Sequence, residues 1–203
     1  MTFADQTVRE FIDGVASGTA TPGGGSVAAI SGAAGAALCE MVCNLTIGKD
    51  DYADVEDELS EIESELSTHR ERLLELADED SAAFDEVMAA FKTPAEEGRA
   101  EAIEEASKLA TEVPLETAEN CLAVVEGAVT VTEKGSESSV TDGGTAGLLA
   151  HAALQAALYN VEINLASIDD ESYVADMSSR AEEIEADAAE ALEQVTENVE
   201  ANL

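Results

Sequence analysis

The chain is 203 residues long and carries 45 acidic against 9 basic residues, a formal net charge of -36. A field of that sign repels nucleic acid and anionic membrane surfaces, so neither is an expected partner. Apolar residues make up 45% of the chain and recur in helical stripes, which argues against a disordered polyanion.

The length, and the lack of any long Pro/Gly/Ser linker, predict one domain over 1–203 with a substantial core. Aromatic residues are only 3% of the chain, so that core must be built of Ala, Val, Leu and Ile. The acid excess reads as adaptation to a cytoplasm at molar salt, where the Debye length falls to about 3 Å and self-repulsion is screened. No basic segment precedes an apolar run at the N-terminus, so no secretory signal is expected and the location is read as cytoplasmic.

No segment alternates with a period of two, which predicts an all-α fold, a compact up-and-down-like bundle of about seven helices. Thr2 and Asp5 open a first helix that runs to Ala16. The loop Ser17–Gly25 that follows ends in Thr21-Pro22-Gly23-Gly24-Gly25 and leads directly into Ser26. Glycine loses the most backbone freedom on ordering, so a triple run belongs where the chain turns sharply or lies directly against another group. A second helix of mostly small residues, Val27–Ile47, points its free first amides at that loop, a place for a ligand's carbonyl or anionic oxygen. A tight turn that lets two helices pack closely accounts for the same residues. This helix is near membrane-spanning length, yet Glu40, Asn44 and its small residues mark it as a core helix. Cys39 and Cys43 lie one turn apart, but no His or Cys set completes a metal site, and with Cys121 they read as small buried hydrophobes.

Beyond the turn Gly48–Tyr52, a long helix is predicted over 53–92. Leu59, Ile62, Leu66, His69, Leu73, Leu76, Asp80, Ala83, Val87 and Ala90 step along it by three and four as one buried stripe. His69 fits a satisfied core residue. Asp80 is harder to place there, because burying a carboxylate costs several kcal/mol unless it is paired or hydrogen-bonded. Either it bonds into a helix end or it belongs to a site. Pro114 is expected to split or kink the helical pattern between Ala95 and Val131. Glu133–Thr141 is a polar loop, with Asp142 placed to cap a helix over Gly143–Leu165. A last helix begins at Asp169 or Asp170, carries scattered acids around Ile184, Ala188, Leu192 and Val195, and reads as a solvated outer element.

Five stretches in this order carry a family signature: Thr21–Ser26, Met41–Lys49, Asp80-Ser81-Ala82-Ala83-Phe84, Val113-Pro114-Leu115 and Asn160–Leu165. Together they resemble the cyclodeaminase/cyclohydrolase family, all-helical folate enzymes similar to the C-terminal half of formiminotransferase-cyclodeaminase. The resemblance runs from Phe3 to Asp169 and implies a methenyltetrahydrofolate cyclohydrolase, or alternatively a formimidoyltetrahydrofolate cyclodeaminase that releases ammonia. A non-catalytic helical scaffold shares the stripes and the acidity but needs neither the triple glycine nor an acid on the buried stripe. Neither folate reaction demands a metal or a redox cofactor, so none is expected. Both need positioned acid and base groups and a pocket that holds the pterin flat.

The resemblance implies catalytic roles for Asp80 and Asp142, and Lys49 is a third catalytic candidate because cations are so scarce and it follows the Thr46-Ile47-Gly48 turn directly. Lys49 is one of nine cations; it suits an anionic folate tail or a leaving nitrogen, or it simply caps a helix C-terminus. The family has Gly-Asn and then Ser-Asp where this chain has Gly135-Ser136 and Thr141-Asp142, so the acid is kept and the amide lost. Pro22, Gly23, Gly24, Gly25, Ser26, Arg99, Asn160 and Asn164 are the candidate substrate-binding residues. Arg99 matches a family position but has glutamates near enough to pair with. Asn160 and Asn164 share one helix face, where two amides either read the edge of a pterin or tie helices together. A homodimer is expected, because the small-residue helix surface exceeds what one bundle hides and the family pairs its subunits.

The charge itself generates a measurable expectation. Lowering salt from about 1 M to 0.1 M lengthens the Debye length from about 3 to 10 Å, so the melting temperature should fall markedly. An unchanged melting temperature across that range would remove the halophilic reading.

Overall fold

A computed structural model describes residues 2–203. Glycine and alanine set its helix spacing. On α2 (Gly24–Thr46), Gly32 faces Cys121 and Leu73, while Gly35 meets the backbone of Ala146 and the Ala150 methyl. Four further α-helices pair with it or with each other: α3 (Glu56–Ala90), α4 (Arg99–Lys134), α5 (Val140–Leu165) and α6 (Glu171–Ala201). A short α1 (Val8–Val15) precedes them, held by Thr7, whose hydroxyl accepts the Glu10 amide while Glu10 reaches back to Thr7.

The pairings are antiparallel at each step. Leu73 and Asp80 of α3 meet Gly32 and Gly25 of α2, Leu66 meets Gly127 of α4, and Gly143 and Gly147 of α5 meet Thr132 and Ala128. Val195 and Val199 of α6 then pack on Gly147 and Gly144. The result is an up-and-down bundle, with α4 touching α2, α3, α5 and α6. Its centre is small and aliphatic, as composition requires: Ala29, Ala36, Val42, Leu73, Leu76, Ala118, Val124, Leu154 and Val161 are buried. The helix α2 is long and apolar enough to cross a membrane, but 56% of its most apolar window is buried against its neighbours.

The long-helix stripe folds as the periodicity predicts, with Leu59, Leu66, Leu73, Leu76, Ala83 and Ala90 buried. His69 is half-buried and its Nδ1 lies 2.8 Å from Asn120 Oδ1, a structural contact. The helix itself is shorter than 53–92, because Asp50–Val55 forms a 3-10 segment before it and Gly48 turns the chain at φ 80°. Among the described residues there are six α-helices rather than seven, and Pro114 accounts for the difference. Proline lacks the amide that would bond to the carbonyl of Ala110, four residues back. The side chain of Asn164 on α5 donates Nδ2 to that carbonyl at 2.6 Å, and α4 runs through Pro114 unbroken.

Candidate functional site

At the end of the bundle where α2 begins, four helices and the loop that leads into α2 leave a cavity of about 290 Å3. Gly23, Gly24 and Gly25 form one wall, Asp80 and Phe84 of α3 another, and Ala110, Asn160 and Asn164 close it from α4 and α5. Gly23 is the N-cap of α2 and Gly24 its first residue, so the helix starts three residues earlier than Val27. The amides of Gly24, Gly25 and Ser26 have no intrahelical acceptor and are left at the cavity end of α2.

Asp80 makes the sharpest contact here. A Cβ placed on Gly25 would overlap its carboxylate, so the side chain rests on bare backbone that only glycine supplies. Its Oδ2 accepts the Ser26 hydroxyl at 2.8 Å, and Ser26 is fully buried with Ser81 Oγ 3.1 Å away. Burial pushes the Asp80 carboxyl above its ordinary value, while hydrogen bonds from the Ser26 side chain and main chain pull it back. That leaves a carboxylate held in one orientation, beside the amides of Gly24 and Gly25, at a partly desolvated cavity edge. Such a group accepts a proton more readily than an exposed one.

Of the sequence candidates, Gly23, Gly24, Gly25, Asp80, Asn160 and Asn164 converge on this cavity, with Ser26 behind Asp80 and Pro22 just before the wall. Arg99 does not: its Nε donates to the Thr93 carbonyl at 2.5 Å, outside the cavity lining. Lys49 and Asp142 lie at the opposite end. The 23 residues of α2 span about 34 Å at 1.5 Å each, with Asp80 at the first turn and Lys49 beyond the last. Lys49 Nζ donates to Ser136 Oγ at 3.2 Å and sits 5.9 Å over the Tyr52 ring. Five other cations, Arg70, Arg72, Lys108, Lys134 and Arg180, are bound to carboxylates. Lys49 has none within bridging distance among the described residues. Asp142 is not the N-cap the spacing suggested: α5 starts at Val140, with Ser139 in the N-cap position and making no side-chain capping bond, which places Asp142 within the first turn.

Two contributors escaped the sequence reading. Phe84 is partly exposed and lines the cavity one turn after Asp80, a spacing that alone puts both on one face. The Ala110 carbonyl is a backbone group released by Pro114, and four-residue spacing from a proline is the signal that locates it. The cysteines behave as expected: all three are free and buried, which raises the thiols, Cys43 to about 11 and Cys121 to about 12. Larger grooves of about 460 and 450 Å3 elsewhere are lined mainly by acids and apolar residues, with Thr130 and Gln194 in the first and no cation in either.

The raised Asp80 carboxyl predicts a stability effect of definite sign. The native chain holds this proton more tightly than the unfolded one, so the group favours folding at low pH and that contribution is lost as pH rises through its native value. Asp80→Asn, which still accepts from Ser26, should therefore be at least as stable as wild type at neutral pH. Denaturant titration at molar salt measures it, and a variant clearly less stable at neutral pH would show that the charge itself holds the fold.

Comparison with known proteins places the geometry. The profile of a family described as formiminotransferase-cyclodeaminase matches residues 7–183. A methenyltetrahydrofolate cyclohydrolase of Methylorubrum extorquens is 40% identical over 204 residues, covering 98% of both chains. The formimidoyltransferase-cyclodeaminase of Mus musculus is 31% identical over 83% of this chain, which spans only 32% of that longer protein. A crystal structure of formiminotetrahydrofolate cyclodeaminase from Thermotoga maritima superposes with a TM-score of 0.92 at 34% identity, covering 98% of each chain. With its profile covering most of the sequence and a relative matched end to end, the chain belongs to the formiminotransferase-cyclodeaminase family.

Proposed function

We propose that the protein is a methenyltetrahydrofolate cyclohydrolase. The observation that carries this reading is the Asp80 carboxylate, oriented by Ser26 against Gly25 at the edge of a cavity that also presents Phe84 and two amides. The name of the full-length Methylorubrum relative supports it. The substrate's one-carbon bridge is an amidinium cation between N5 and N10, and a carboxylate such as Asp80 placed beside it stabilises that local charge. Asp80 takes a proton from water as its oxygen bonds to the bridging carbon. The carbon–N5 bond then breaks with a proton delivered to N5, leaving the formyl group on N10 and one proton released overall. Phe84 offers a flat apolar face for the ring. No metal or redox partner enters the reaction as written. The Thermotoga neighbour favours one alternative, ring closure of a formimino group with loss of ammonia at the same carbon.

The methenyl chromophore supplies the test, assayed at molar salt in the salt-rich cytoplasmic conditions we infer for the enzyme. Wild type should bleach it. Asp80→Asn should bind folate yet turn over at least about a hundredfold more slowly, the range general acid–base groups contribute. A folded variant with near wild-type turnover would shift the acid–base role to Asp142. Ammonia release from formiminotetrahydrofolate, without bleaching, would establish the alternative.

The two ends of α2 give the reading a quaternary consequence. Ala34, Ala37, Met41 and Leu45 on α2 and Leu148, Leu149, Ala152, Tyr159 and Ile163 on neighbouring α5 are exposed. So apolar a surface in so acidic a chain suits a second copy of itself. A two-fold axis crossing the middle of α2 brings the Lys49 and Asp142 end of one protomer to the Asp80 cavity of its partner. Mixing Asp80→Asn and Lys49→Met chains tests the arrangement. Mixed dimers then contain one intact site, so activity should exceed that of either variant alone. No recovery, or a stable 21.0 kDa monomer in light scattering, would overturn it.

A further inference from the structure

The two asparagines of α5 have their amide orientations settled by chemistry. Asn164 Nδ2 lies 2.6 Å from the Ala110 carbonyl and Asn160 Nδ2 lies 2.8 Å from the Ala156 carbonyl. A carbonyl oxygen only accepts, so in each case the NH2 group must face it and the side-chain oxygen must point elsewhere. Neither Oδ1 accepts a hydrogen bond from another described residue, and no buried side-chain polar atom is left without a partner, so both oxygens remain solvent-accessible. Both residues line the cavity. At four-residue spacing their side chains leave one face of α5 about 5–6 Å apart.

Resting on the folate reading above, we infer that Asn160 and Asn164 bind the pterin by its N–H-bearing edge, through their side-chain oxygens. A pair of acceptors selects a ligand edge that donates. The aminopyrimidinone end of a pterin does so, with an exocyclic amino group next to a ring N–H. The benzoylglutamate end presents chiefly oxygens, which two amide oxygens repel. The ring therefore enters with its amino edge toward α5, and the one-carbon bridge faces the α2–α3 side of the cavity, where Asp80 sits. Pro114 is a positioning residue in this arrangement. By withholding its amide from Ala110 it frees the carbonyl that turns Asn164 oxygen-outward.

Calorimetric titration at molar salt separates this inference from the reading beneath it. The probes are tetrahydrofolate and the analogue lacking the 2-amino group. Wild type should bind the amino compound at least about tenfold more tightly, because the analogue leaves an acceptor without its donor. Asn160→Ala should lose most of that preference, and Asn160→Asp, which keeps an acceptor oxygen, should retain it. Asn160 rather than Asn164 is chosen because the Ala156 carbonyl keeps its helical partner when the side chain is removed. Tight binding of both probes without preference would overturn the orientation proposed here and leave the folate reading standing. No binding of tetrahydrofolate by folded wild type would overturn the folate reading and this inference with it.

Discussion

The contact between the Asp80 carboxylate and the bare backbone of Gly25 is the constraint around which this end of the molecule is arranged. It fixes how closely α2 and α3 approach, because any side chain at residue 25 would occupy the acid's position. It also explains why a carboxylate stands on an otherwise apolar stripe. Ser26 donates to it from a fully buried position, so the acid keeps a fixed partner on the side that faces away from the cavity. The remaining cavity walls follow from helices kept close by Gly32 and Gly35, since wider spacing would separate α5 and its asparagines from the glycine turn.

Much of the architecture was legible because it depends on local periodicity. The α3 stripe from Leu59 to Ala90 could be counted, and the helical breaks at Gly48 and Pro94 are chemically unambiguous. Asp80 stood out because hydropathy and position disagreed. What stayed hidden depends on contacts distant in sequence. The continuity of α4 at Pro114 needs a hydrogen bond from Asn164, 50 residues later, so no local rule predicts it. The start of α5 was misplaced because Asp142 is a good cap by type, whereas Ser139 takes the position. Grouping Lys49 and Asp142 with Asp80 was natural from motif order, but the length of α2 sets them at opposite ends.

The nine cations show how an acidic chain allocates scarce charge. Arg70 joins α3 to Glu40 of α2, and Arg72 bridges Glu79 and Glu116, tying α3 to α4. Lys108 holds Asp170, the N-cap of α6, and Arg180 meets Glu119. These pairs connect neighbouring helices, where mutual repulsion between acids is strongest. They are partly exposed, so each contributes modestly and their value lies in cancelling like-charge contacts. Lys49 stands apart, bound to a serine and an aromatic ring. Arg9, Lys92 and Arg99 likewise pair with no carboxylate among the described residues, but only Lys49 sits at the loop that joins α2 to α3.

The hydrogen bond from Asn164 to Ala110 also joins two features of the fold. Taken alone, the α4 segment bends or frays at Pro114, because the chain itself offers nothing to the stranded carbonyl. In the folded chain α5 supplies the missing donor and, through the same residue, one part of the cavity wall. The continuity of α4 and the completeness of the cavity wall thus rest on one contact, so a change at Asn164 or Pro114 is felt by both.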